Sequence, residues 1–245
     1  MTAAALRALH VPGNPLLLAN VWDAATARMA AAAGHPAVAT SSVAVAESLG
    51  YEDGHHAPVA EMFAAARRIA AVISVPLTVD AEGGYGLEPG EFVDRLLETG
   101  AVGCNLEDTD HAGPDLIDAD RQAEWLAAVR SVAGDRLVLN ARIDTYLRDV
   151  ADPLAGAIER AEKYLAAGAD CVYPIFIRNA DDIGAVTRAL APASVNVNYR
   201  PGGPGPAELA DLGVARISLG GGIWKHEQAR LTEIFTGIGA GRLPY

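Results

Sequence analysis

The chain has 245 residues, 51% of them hydrophobic, and carries 19 Lys and Arg against 31 Asp and Glu for a formal net charge of −12. That length suits one large α/β domain with a sizeable core, and the acidic balance argues against a nucleic-acid or anionic-membrane partner. No apolar run reaches membrane-spanning length, and Met1 to Gly13 lacks the basic-then-apolar layout of a secretory signal.

Short β-like runs alternate with longer helical patterns along the whole chain. Strands are predicted at Leu16–Asn20, Ala37–Ser41, Leu77–Asp80, Val102–Glu107, Leu137–Arg142, Cys171–Pro174, Ser194–Asn198 and Ala215–Leu219. Helices are predicted at Ala24–Ala33, Val59–Ile73, Pro89–Glu98, Asp120–Val132, Pro153–Ala167, Ala180–Leu190, Pro206–Leu212 and Ile223–Thr236. Pro89, Pro153 and Pro206 stand near helix starts, where a missing N–H costs least. Cys104 and Cys171 both fall inside strands and read as buried reduced thiols, so a cytoplasmic location is expected. Eight strand–helix units without a linker predict a parallel sheet closed into a single (β/α)8 TIM barrel over residues 1–245. The alternative, a doubly wound open sheet, usually has a Gly-x-Gly-x-x-Gly loop after its first strand. Here that place holds Asn20-Val-Trp-Asp-Ala-Ala.

In such a barrel the loops following the strands build the active site. The strand ends read Asn20, Ser41 and Ser42, Asp80 and Glu82, Glu107 and Asp108, Arg142, Pro174, Asn198 and Ser218, with Asp53 in the loop Leu49-Gly-Tyr-Glu-Asp-Gly54. Read as an extended segment, Asp80-Ala-Glu82 aims two carboxylates the same way, and like charges there call for a cation between them. A solvated acidic turn is the other reading of that segment alone. Asp53, Asp80, Glu82 and Glu107 together bring about −4, of which one Mg²⁺ returns about +2. Such an ion needs only one or two direct carboxylates, leaving the others to hold its waters. The surplus negative charge requires a cation facing an anionic substrate. Arg142 is placed for that role, with Arg200 in Asn198-Tyr-Arg-Pro-Gly-Gly203 as second candidate. Trp22 and Tyr85 stand where they could wall the pocket or simply pack. Gly220-Gly-Gly222 reads either as a backbone phosphate site or as a tight joint into the last helix.

These residues resemble the isocitrate lyase/phosphoenolpyruvate mutase family. The resemblance rests on Thr40-Ser-Ser-Val43, Leu49-Gly-Tyr-Glu-Asp53, Val79-Asp-Ala-Glu-Gly-Gly-Tyr-Gly86, Leu106-Glu-Asp108, Ala141-Arg142 and Gly203. It implies Asp80 as main metal ligand, with Asp53, Glu82 and Glu107 on metal-bound waters. It further implies that Ser41 and Ser42 hold the carboxylate of a 2-oxo or 2-hydroxy acid by hydroxyl and backbone N–H. Mg²⁺, or Mn²⁺ in its place, is the expected cofactor. Arg142, Asp53 and His111 are the expected catalytic residues, and Ser41, Ser42, Arg142, Trp22 and Asn198 the expected substrate contacts. The family's lyases carry a Lys-(Lys/Arg)-Cys-Gly-His loop after the Leu-Glu-Asp strand. Here that loop reads Thr109-Asp-His-Ala-Gly-Pro-Asp115, without cysteine or lysine. Its one side chain suited to proton transfer near neutral pH is His111, unless that is only a solvated loop histidine.

The expected activity is therefore a metal-dependent C–C lyase or decarboxylase acting on an oxaloacetate-like carboxylate. The alternatives are P–C bond chemistry on phosphonopyruvate or phosphoenolpyruvate, and a metal-and-oxoacid binding protein without turnover. The resemblance also implies a homo-oligomer, a tetramer or dimer, in which the last helix is often exchanged between subunits.

Overall fold

The computed structural model describes residues 1–113 and 115–245 of the chain. Eight parallel strands close into a barrel in sequence order: β1 (Leu16–Val21), β2 (Val38–Thr40), β3 (Leu77–Asp80), β4 (Gly103–Glu107), β5 (Val138–Ile143), β6 (Cys171–Pro174), β7 (Ser194–Asn198) and β8 (Arg216–Ser218), with β8 returning to β1. The predicted strands are all present, and none of their ends is shifted by more than one residue. The fold is the (β/α)8 TIM barrel expected from the alternating pattern.

Around the barrel run α2 (Ala24–Ala32), α3 (Ser42–Leu49), α4 (Val59–Ala70), α5 (Pro89–Glu98), α6 (Ala119–Ala133), α7 (Pro153–Ala166), α8 (Ala180–Leu190), α9 (Pro206–Asp211) and α10 (Gly222–Gly239), after a short α1 (Ala3–Arg7). Two helices were not anticipated. In α3, Ser42, Ala44, Val45 and Ala46 are all buried, so the segment shows no polar face that would set a helical period. In α1, five residues are too few to show one. Its Leu6 packs with Leu16, Leu18, Ala37, Ala39, Val102 and Val138, closing the barrel's lower end with apolar side chains.

Odd and even positions of each strand divide cleanly. Leu77 and Val79, Cys104 and Leu106, Leu139 and Ala141, and Val195 and Val197 join the core between barrel and helices. Their alternates face the barrel interior. There, above the apolar plug, lies a polar layer: Asn140 Nδ2 donates to Asn105 Oδ1 at 2.8 Å, and Asn196 bonds Ser218 Oγ at 3.1 Å. Arg216 Nη2 reaches the same Asn105 oxygen at 3.0 Å from β8, four strands away across the barrel. Interior layers of such barrels are usually filled by branched apolar side chains, so this layer needs an explanation. Both cysteines are fully buried and free, Cys104 toward the helices and Cys171 in the barrel wall, and burial raises both thiols to about 12. Among the described residues no helix is long and apolar enough to cross a membrane.

Candidate active site

The upper end of the barrel opens into a cavity of about 350 Å³. Its walls include Ser41, Ser42, Asp53, Asp80, Arg142 and Asn198, six of the residues singled out from sequence. Strand register accounts for the gathering: Asp80 lies opposite Asn105 on β4, and Asn198 opposite Ser218 on β8. Glu107 and Arg142, also paired in register, lie side by side on β4 and β5.

Asp80 is held by two local contacts. Its backbone N–H donates to Thr40 Oγ1 at 2.8 Å, and its Oδ2 accepts the Ser42 N–H at 3.0 Å. Its Oδ1 is buried without any hydrogen-bond partner. A buried carboxylate oxygen without a donor is costly, and one lining a cavity is what a cation would satisfy. Asp53 faces the same cavity, and its carboxyl is raised above the ordinary range, first by desolvation and then by the charge of Asp80. The two acids and the unpartnered oxygen make a donor set of hard oxygens, which fits a divalent cation such as Mg²⁺ or Mn²⁺. The Ser42 amide, expected to hold substrate, is instead engaged by Asp80. The first turn of α3 nonetheless begins at this wall, with Val43 beside Ser42 on the cavity. Its free N–H groups favour a negative group there.

Arg142 lines the cavity with most of its donors already engaged. Nε and Nη2 donate to Asp144 Oδ1 and Oδ2 at 2.6 and 2.9 Å, and Nη1 pairs with Glu107 Oε2. Only two of the five guanidinium N–H donors are left for a ligand. Burial opposes its charge, but Glu107 and Asp144 outweigh that and hold its pKa well above the ordinary value. Asp144 was missed from the sequence, although Arg142-Ile-Asp144 has the two-residue spacing that puts both side chains on one face.

Glu82, Glu107 and His111 do not line the cavity; they form a second cluster beside it with His55. The extended reading of Asp80-Ala-Glu82 is corrected here: β3 ends at Asp80, and Glu82 has φ +49°, which turns its carboxylate away from the cavity wall. Glu82 Oε2 accepts the His55 N–H at 2.5 Å, and its carboxyl is raised to about 7, chiefly by desolvation. His111 Nε2 pairs with Glu107 Oε1 at 2.6 Å, and the His111 ring stacks on His55 at 3.9 Å between centroids. His111 is therefore no solvated loop residue. Burial opposes its protonation, but the hydrogen bond and charge of Glu107 outweigh it and raise its pKa, while desolvation lowers that of His55 to about 4. Ligand atoms of His55, Glu82 and His111 lie within 4.8 Å of one another and could hold a metal. Two observations favour the cavity over that trio: His55 Nε2 already accepts the Gly83 N–H at 3.2 Å, and His111 Nε2 is engaged by Glu107.

His55, Glu82, Tyr85 and Phe176 all adopt positive φ, an unusual concentration of strained non-glycine backbone around one site. No sequence signal announces it. Gly84 (φ +82°) completes the turn, and a Cβ there would meet the Trp125 ring at 2.6 Å. Gly220 to Gly222 line the cavity, but the N–H groups of Leu219 and Gly220 both donate to Asn20 Oδ1 at 2.9 Å, which disfavours the backbone phosphate site. Trp22 packs edge-on to Trp224 at 5.1 Å, away from the cavity wall. Asp108 is fully buried outside the barrel mouth. It accepts from Tyr164 Oη at 2.8 Å, Arg160 Nη1 at 3.0 Å and the Asp144 N–H at 2.9 Å, and so braces the loop that carries Asp144. Arg200 and Lys225 border the cavity; among the described residues neither forms an ion pair, and Arg200 lies over the Phe176 ring at 4.6 Å.

Comparison with known proteins agrees with this architecture. A family model described as phosphoenolpyruvate phosphomutase matches residues 6–238. An uncharacterized protein of Mycobacterium tuberculosis is 36% identical over 213 residues, 86% of this chain and 80% of its own length. Oxaloacetate decarboxylase 1 of Pseudomonas fluorescens is 29% identical over 216 residues, 83% of this chain and 72% of its own. A crystal structure from Burkholderia cenocepacia, provisionally named a phosphonomutase, superposes with a TM-score of 0.90 at 39% identity, covering 96% of this chain and 99% of that one. The chain thus belongs to the phosphoenolpyruvate phosphomutase family, in keeping with the resemblance of its strand-end motifs.

Proposed function

We propose that this chain, as one barrel domain over residues 1–245, is a divalent-metal-dependent C–C lyase or decarboxylase for a small 2-oxo or 2-hydroxy dicarboxylate of the oxaloacetate type. The observation that carries the reading is the unpartnered Asp80 Oδ1 facing a cavity shared with Asp53, Ser41, Ser42 and Arg142. Asp80 would be the direct ligand and Asp53 would hold the ion's water, with Mg²⁺ favoured and Mn²⁺ acceptable. Glu82 and Glu107 support the site from the neighbouring cluster. Bound there, the ion would supply a Lewis acid that draws electron density onto the 2-oxo group.

The chain's own residues position and discriminate. The hydroxyls of Ser41 and Ser42 and the start of α3 hold the carboxylate next to the oxo group, and Arg142 offers its two remaining N–H donors to developing negative charge. The second carboxylate lies toward Asn198, Arg200 and Lys225. Loss of carbon dioxide leaves the C–C bonding electrons on the oxo-bearing fragment, and a proton from water completes pyruvate. That proton needs no placed thiol, which fits a loop holding His111 but no cysteine. The resemblance to oxaloacetate decarboxylase 1 supports the same substrate class.

A substrate panel tests this. Oxaloacetate should turn over at least about tenfold faster than isocitrate or methylisocitrate, and iodoacetamide should leave the rate unchanged because both thiols are buried and held near 12. Isocitrate cleavage that disappears on alkylation, with the circular dichroism spectrum intact, would overturn the reading. The second reading is P–C chemistry, favoured by the family model and the Burkholderia relative; phosphate release from phosphonopyruvate would select it. Binding of 2-oxo acids without any product would leave the chain as a binding protein.

We also propose a homo-oligomer, a dimer or tetramer. None of the residues of α10 is buried, and Leu231, Phe235 and Ile238 stand exposed on it. Light scattering at micromolar concentration should give twice or four times the 25.4 kDa chain mass. A monomer would contradict the proposal.

A further inference from the structure

Arg216 is the only fully buried Arg or Lys among the described residues, and among them it has no carboxylate partner. Its Nε donates to Ser218 Oγ at 3.3 Å and its Nη2 to Asn105 Oδ1 at 3.0 Å, while Nη1 has no partner at all. A buried unpaired charge is among the most costly features a core can hold. The surrounding contacts do not require it. Asn105 Oδ1 also accepts from Asn140, and Ser218 Oγ is bonded by Asn196, so both neighbours stay satisfied without the guanidinium. An apolar side chain would fill the same space, as in other barrels of this type.

What distinguishes its position is the cavity. Both residues that Arg216 touches, Asn105 and Ser218, form part of the cavity lining. The other cation on the inner wall, Arg142, is already matched by Glu107 and Asp144. Among the described residues Arg216 is therefore the one cation beneath the cavity that no carboxylate contacts. We propose that Arg216 is a positioning residue whose buried charge balances the bound dianion, acting through Asn105 and Ser218 rather than by touching substrate. This rests on the cavity being the substrate site, and it adds a preference for doubly over singly charged ligands.

Oxalate and oxamate have nearly the same shape but carry two charges and one. Calorimetric titration of both into the protein at fixed Mg²⁺ should show a clear oxalate preference. In Arg216→Met that preference should shrink by about tenfold, the scale expected for one charge lost from a poorly screened interior. Arg216→Lys should restore most of it. If Arg216→Met does not fold, Arg216→Gln, which can still donate to Asn105, should lose the preference in the same way. An unchanged oxalate-to-oxamate ratio in the folded Met or Gln variant would overturn the assignment of Arg216 while leaving the substrate site standing. A parent protein that binds neither ligand would instead overturn the site itself, and this inference with it.

Discussion

Asp80→Ala should lower kcat/KM for oxaloacetate by about 10²–10³-fold, the usual cost of removing a principal electrostatic contributor from a water-poor site. The fold should survive, because Asp80 ends its strand at the cavity and its side chain accepts only the Ser42 N–H. Its remaining oxygen is unpartnered, so truncation removes one unsatisfied buried oxygen and leaves only the Ser42 N–H, at the edge of the cavity, to be met by water. Circular dichroism and denaturant midpoint should therefore be near parental while divalent-ion affinity falls. A variant that binds Mg²⁺ and turns over substrate as the parent does would move the metal elsewhere, with the His55, Glu82 and His111 trio next to examine.

Arg142→Ala should cost both activity and about 3–5 kcal/mol of stability, since it leaves Glu107 and Asp144 buried without their shared cation. Urea unfolding measures that loss. Its pH dependence is also fixed in sign. Burial already raises the Glu107 carboxyl, and Arg142 is the largest influence opposing that rise. Without the arginine, the folded state would hold protons that the unfolded state releases, so the variant's stability should fall as pH rises through the carboxylate range. The deficit relative to the parent should be smaller at pH 5 than at pH 8. Arg142→Lys keeps the charge but cannot reproduce the paired contacts to Asp144, so it should recover only part of the stability and ligand affinity. A deficit that does not change with pH would show that Glu107 is not the group left without its counter-charge.

The barrel and much of its mouth were legible because alternating strands and helices leave a strong two-level pattern. Strand ends carry chemistry wherever that pattern reverses from apolar to polar. Asp80, Ser41, Ser42, Arg142 and Asn198 are legible this way and Asp53 from the loop after the second strand, and all six share one cavity. Glu82 was placed wrongly because its positive φ cannot be read from a glutamate, and an extended segment was the only available assumption. The stacking of His111 on His55 was unreadable for a related reason: it joins two loops far apart in sequence. Asp144 and Arg216 were legible in principle. Each lies two residues from a residue already singled out, Arg142 or Ser218, and therefore on the same face of its strand or strand end. Arg216 is masked all the same, because an arginine inside a barrel is not expected from strand periodicity alone.

The most direct test of the central claim is oxaloacetate consumption by chelator-treated protein before and after Mg²⁺ is restored, with pyruvate followed by a coupled dehydrogenase and corrected for metal-only decarboxylation. The account predicts little enzyme-dependent pyruvate in the chelated protein and saturable production once Mg²⁺ or Mn²⁺ is added, lost again in Asp80→Ala. Enzyme-dependent pyruvate formation that is indifferent to chelation, or its complete absence at saturating metal, would contradict it.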